Sequence, residues 1–163
     1  MVDLLLALPS ELSSNILSSW LKLKDVVNVD SAYCHPVKRA TLVEVLSIPT
    51  FNLADHSNRE LSAAYIEWAY LRRVKVAHLV VHRNLPVYLK YSRRFGGHVS
   101  KLTLSGMGLS EPTEQLSGPY EIMRLCPNTT VVKLVDCSMN PKCVRTLLDI
   151  LSEYHALQEL TIG

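Results

Sequence analysis

The stretch Val99-Ser100-Lys101-Leu102-Thr103-Leu104 decides how this chain is read. Apolar residues stand at its first, fourth and sixth positions, with polar ones between. A similar phrase occurs at Val76-Ala77-His78-Leu79-Val80-Val81, at Val131-Val132-Lys133-Leu134-Val135-Asp136 and at Leu157-Gln158-Glu159-Leu160-Thr161-Ile162. The starting positions 76, 99, 131 and 157 are 23, 32 and 26 residues apart. Alternation at the end of each phrase predicts a short strand whose side chains point to opposite faces in turn.

Between the phrases lie segments of helical character, about Leu85 to Arg94, Pro119 to Leu125 and Pro141 to Tyr154. Val144, Leu147, Leu148 and Leu151 repeat at helical spacing. Gly96-Gly97 and Cys126-Pro127-Asn128 read as turns. Strand-plus-helix units recurring at about 20–29 residues with this phrase resemble leucine-rich repeats. The expected fold is therefore α/β: a leucine-rich-repeat solenoid with parallel strands and convex-side helices. Asn84 falls where such repeats often carry an asparagine. Asp136 occupies an inward position, where an unpaired carboxylate is costly. It either meets backbone donors at a strand end or marks a local slip of register.

Outward positions form columns across the strands. The third-position column is His78, Lys101, Lys133 and Glu159. The fifth is Val80, Thr103, Val135 and Thr161, and the seventh is His82, Ser105, Cys137 and Gly163. This mixed, mildly basic concave face is the expected site for a protein partner.

Residues 8–47 read as three short helices. Ser10 suits an N-cap and Glu11 the positive end of a helix dipole. Leu12, Ile16 and Trp20 follow at four-residue steps, flanked by Leu17 and Leu21. Asp25 suits the cap of a second helix, with Val26, Val29 and Tyr33 on one face. Pro36 suits the first position of a third, whose apolar side holds Val37, Ala40, Val43 and Leu46. That helix is expected to end before Ile48-Pro49.

This segment resembles an F-box through Leu8-Pro9-x-Glu11-Leu12, Ile16-Leu17, Trp20-Leu21 and Asp25-Val26-Val27-x-Val29. F-boxes are three-helix units that dock on the Skp-type adaptor of cullin–RING ubiquitin ligases. The resemblance implies that Leu8, Pro9, Ile16, Leu17, Trp20 and Leu21 are adaptor-binding residues, with Trp20 the principal anchor. The same helices would otherwise serve only as a cap on the solenoid. The expected organisation is an F-box-like segment over 1–48, a loop over 49–60 and a repeat segment over 61–163. The last opens with a helix around Leu61 to Leu71 that contains Trp68.

Composition narrows the function further. The chain is 48% apolar and 20% charged over 163 residues, which suits a globular protein. No apolar run is long enough to span a bilayer, and Met1 to Leu6 is not a signal peptide, so the expected location is intracellular, cytoplasmic or nuclear. Residues 1–60 carry a net −2 and residues 61–163 a net +4, and no acid lies between Glu67 and Glu111. No nucleic-acid motif accompanies that basic interval, so nucleic acid is not the expected partner.

Cys34, Cys126, Cys137 and Cys143 lack zinc-site spacing, and neither a metal nor a cofactor is expected. Phosphate loops and the hydrolase and metalloprotease motifs are absent from the sequence. A dyad of Cys137 with His82 would require the predicted columns. The expected function is non-catalytic: an F-box-type receptor linking a target protein to a ubiquitin ligase, or a repeat scaffold without adaptor binding.

Overall fold

The computed structural model describes residues 7–33, 35–48, 51–53, 63–83, 85–109 and 118–163. Cys34, Asn84, Pro49, Leu61 and Met1 to Leu6 lie outside them, as does most of the expected 49–60 loop. The protein is a mixed α/β structure with seven α-helices and parallel sheets among the described residues. It divides into two compact units, Met1–Val76 and Ala77–Gly163.

The first unit contains α1 (Ser10–Trp20), α2 (Leu23–Ala32), α3 (Pro36–Leu46), β1 (Asn52–Leu53), α4 (Ala63–Arg72) and β2 (Lys75–Val76). Pro36 opens α3, where its missing N–H removes no helical bond. Two expected caps differ. Pro9, not Ser10, is the N-cap of α1. Asp25 lies in the first turn of α2, where its carboxylate accepts from the Lys22 backbone N–H at 3.3 Å. Helix α4 ends with Arg73 in the left-handed region (φ 58°), and the Val74 N–H returns to the Ala69 carbonyl at 2.9 Å.

Within the expected 49–60 loop, Asn52–Leu53 is a strand parallel to Lys75–Val76. Phe51 and Leu53 are fully buried. Helix α4, grouped with the repeats in the sequence analysis, belongs to this first unit and packs on α2. The hydrogen bonds of Trp68 and Arg72 to Asp30 hold it there.

The second unit contains β3 (His78–Val81), α5 (Leu85–Phe95), a 3-10 turn (Gly96–His98), β4 (Lys101–Ser105), β5 (Gly108–Leu109), α6 (Gly118–Arg124), β6 (Val131–Val135), β7 (Ser138–Met139), α7 (Pro141–Ser152) and β8 (Glu159–Ile162). β3, β4, β6 and β8 form one parallel sheet in chain order, and each crossover carries a helix. β5 and β7 form a second, shorter parallel ladder. Gly106 (φ 64°) and Asp136 (φ 52°) occupy equivalent turns between the two ladders.

The inward rows are Leu79, Leu102, Val132, Leu160 and Val81, Leu104, Leu134, Ile162. The first three residues of each row are fully buried, whereas Leu160 is 39% and Ile162 56% exposed on the edge strand β8. Helix α7 seals Cys143, Leu147, Ile150 and Leu151 against the core. Val144 and Leu148, read from the sequence as part of that stripe, stand exposed.

The third copy of the phrase is shifted by two residues from the sequence alignment. Lys101 pairs with Val131, not with Lys133, so the strand spacings are 23, 30 and 28. Thr129 takes the first position of the copy and is fully buried. Its hydroxyl donates to the Cys126 carbonyl at 2.8 Å, which lets a polar residue stand where apolar ones were sought. Asp136 accordingly lies beyond the strand, exposed, with its N–H on the Gly163 carbonyl at 2.9 Å.

Candidate functional site

The first unit carries two candidate surfaces and the second carries one. In the first, α1 turns Ser13, Ser14 and Leu17 inward. Leu12 on the helix is 52% exposed and Trp20, its last residue, 81%, and Leu8 just before it is 41% exposed. Ile16 and Leu21 are half-buried, and Pro9 is exposed at the helix cap. Of the six residues expected at an adaptor interface, only Leu17 is spent on the core. The expected apolar stripe of α3 is similarly divided. Leu42, Val45 and Leu46 are buried, whereas Val37 and Ala40 are exposed and Val43 is half-buried.

The first unit also holds a charged cluster that the sequence pattern does not reveal. Asp30 follows Val26 by one helical turn and therefore faces the interior, only 1% exposed. Its carboxylate accepts from Arg39 Nε at 2.9 Å and Nη2 at 3.1 Å, from Trp68 Nε1 at 2.9 Å and from Arg72 Nε at 3.1 Å. Burial alone would raise the Asp30 pKa. The hydrogen bonds from Arg39 and Trp68 and the charges of Arg72 and Arg39 outweigh it and hold the group below the usual carboxylate range. The legible signal was an acid in the apolar register of α2, with Trp68 and Arg72 one turn apart on α4. The two arginines edge a groove of about 700 Å3, whose other lining includes Tyr33, Pro36, Val43 and Glu44.

In the second unit, the outward rows are His78, Lys101, Val131, Glu159 and Val80, Thr103, Lys133, Thr161, followed by Ser105 with Val135. The shift of the third copy moves Lys133 and Val135 one row along from their expected columns. His78 and Val80 are buried, which removes them from any open binding face. His78 Nε2 is 3.0 Å from Thr103 Oγ1. His82 is half-buried, and its Nε2 has no hydrogen-bond partner among the described residues. The accessible part of the face is therefore Lys101, Thr103, Ser105, Val131, Lys133, Val135, Glu159 and Thr161.

Lys133 Nζ meets Glu159 Oε1 at 3.0 Å, and Thr161 Oγ1 donates to the same oxygen at 3.1 Å. Hydrogen bonds from Lys133 and Thr161, with the Lys133 charge, hold the Glu159 pKa below its ordinary value. These groups make a polar patch of both signs.

The shifted register also takes Cys137 out of the column of His82. Its Sγ lies 3.4 Å from the Leu104 carbonyl oxygen, which makes it a weak donor to the backbone. Cys126 and Cys143 are buried free thiols, and burial pushes the Cys126 thiol up to about 12, far from a reactive thiolate. Among the described residues no cluster of three or more His, Cys, Asp or Glu side chains could hold a metal ion. None of their helices is long and apolar enough to cross a membrane. Comparisons with family models, with curated proteins and with solved structures find no match to this chain.

Proposed function

We propose that this protein is a non-catalytic interaction module of the F-box/leucine-rich-repeat kind. Its first unit docks on a Skp-type adaptor, and the outward sheet face of its second unit selects a target protein for ubiquitin transfer. One observation carries the reading. The helix bearing the F-box-like residues leaves Leu12 and Trp20 facing solvent, with Trp20 81% exposed and Leu8 exposed just before it. A large aromatic on an amphipathic helix is the usual anchor of a helix-in-groove contact. The repeat reading draws support from four parallel strands in chain order, with helical crossovers and spacings of 23, 30 and 28 residues. Holding target and ligase together raises their effective concentration and needs no chemistry from this chain.

Co-purification with a Skp-type adaptor tests the proposal. Wild type should retain the adaptor, and Trp20→Asp should weaken it about thirtyfold, the loss typical of an interface hot spot. The substitution should leave stability within about 0.5 kcal/mol, because the side chain touches little of its own fold. Failure of the folded wild-type protein to retain the adaptor would end the ligase reading.

A further inference from the structure

The groove at Arg39 and Arg72 offers chemistry that does not depend on adaptor binding. It runs between residues of the α2 end, of α3 and of the α4 end, all within the first unit. Its volume, about 700 Å3, lies within the range of ligand-binding clefts. Tyr33, Pro36, Ala40 and Val43 supply an apolar lining.

Two arginines and Glu44 line the groove, and Asp30 is buried beside them. A carboxylate offers about four acceptor positions, and Asp30 already takes two bonds from Arg39 and one each from Trp68 and Arg72. Asp30 is therefore saturated. Arg72 spends only Nε on it, and its two terminal nitrogens have no partner among the described residues. Those nitrogens form a planar donor fork, matched in geometry to an oxyanion. Asp30 fixes the fork from behind, so little side-chain freedom is lost on binding.

We infer that this groove binds an acidic peptide segment, with a carboxylate on the Arg72 fork and a neighbouring apolar side chain against Tyr33, Pro36 and Val43. A free phosphate would use the fork alone and leave the apolar lining empty. Glu44, on the same groove, opposes the ligand charge and sets an upper limit on affinity.

The test is calorimetric titration of the full chain with a short acetylated and amidated peptide that has a glutamate between two leucines. Its glutamine counterpart and inorganic phosphate are the comparisons. The glutamate peptide should bind at least about tenfold more tightly than either, as expected for a charge-assisted pair. Arg72→Gln should erase that preference. Ala40→Trp should fill the groove and abolish binding while removing none of the hydrogen-bond partners of Asp30, so an unchanged melting temperature certifies its fold. Glu44→Gln should tighten binding about two- to fivefold at low salt. Equal affinity for the two peptides would overturn the proposal. So would phosphate binding as tightly as the glutamate peptide, a folded Ala40→Trp variant that binds like wild type, or no binding of any probe.

Discussion

Asp30→Ala should destabilise the first unit by about 3 kcal/mol, with loss of the fixed packing of α4 on α2. The substitution leaves the Trp68 indole N–H and three guanidinium N–H donors without their acceptor. Removing one partner of a buried ion pair strands the other charge, which ordinarily costs about 3–5 kcal/mol. Arg39 and Arg72 keep part of their surface in water, so the low end applies. Asp30→Asn retains one carbonyl acceptor but turns donors toward an arginine, and should cost about 2 kcal/mol. Denaturant titration read by tryptophan fluorescence measures both variants, because Trp20 and Trp68 both lie in this unit. Wild-type stability in Asp30→Ala would show that the hydrated arginines need no counter-charge there.

The same carboxylate couples stability to pH. Its folded pKa lies below the ordinary value of 3.8 that it regains on unfolding. Its contribution is therefore complete above that value and is lost as pH falls through the folded pKa. Wild-type stability should decline below about pH 4 more steeply than that of Asp30→Asn, which has no proton to take up at this position.

Gly96→Ala should have a comparable effect on the second unit, about 2–3 kcal/mol. Gly96 is buried at the junction of α5 and the following 3-10 turn. A Cβ there would collide with the Leu125 carbonyl oxygen, and it would stand 2.9 Å from that carbonyl carbon and 3.2 Å from Cys126 Sγ. The obstacle is backbone, so rotamer changes cannot relieve it. Nor can that backbone easily retreat. The Leu125 N–H bonds the Glu121 carbonyl at 2.9 Å, the Cys126 N–H bonds the Met123 carbonyl at 3.0 Å, and Thr130 N–H reaches the Ser100 carbonyl at 2.8 Å. Gly97→Ala is the control, since its Cβ would have only Asn128 Nδ2 nearby, at 3.9 Å. Hydrogen exchange along α6 and β6 should accelerate in Gly96→Ala and stay unchanged in Gly97→Ala. Equal protection in the two variants would mean that α5 and the Leu125 turn separate without loss.

The sequence was most legible where side chains obey a simple period. Alternation located all four main strands, because an inward position tolerates little besides apolar residues. Helical spacing located α1 through α4, and prolines marked the starts of α3 and α7. It was least legible where a polar residue occupies a buried position. Thr129 satisfies its hydroxyl on neighbouring carbonyls and so fills a core position that a search for apolar residues passes over. Val131, the next apolar residue, reads as the first position instead, which displaces β6 by two residues. Asp30 escaped notice for the same reason, since its donors come from residues 39, 68 and 72.

The candidate sites divide in the same way. Period alone identified Leu12, Ile16, Leu17 and Trp20 as apolar positions on one helix. It could not say that Leu17 is consumed by the core while Leu12 and Trp20 are left open, because exposure depends on what the rest of the chain covers. It assigned His78 and Val80 to an outward face, but their burial follows from tertiary packing. Local stereochemistry and hydrophobic period thus determined the order of the helices and of the four main strands, but not the short ladders of β1 with β2 and β5 with β7. Tertiary structure alone decided the register of the third strand, the saturation of Asp30 and the surfaces left for partners. Each of these depends on hydrogen bonds and burial between residues far apart in the chain.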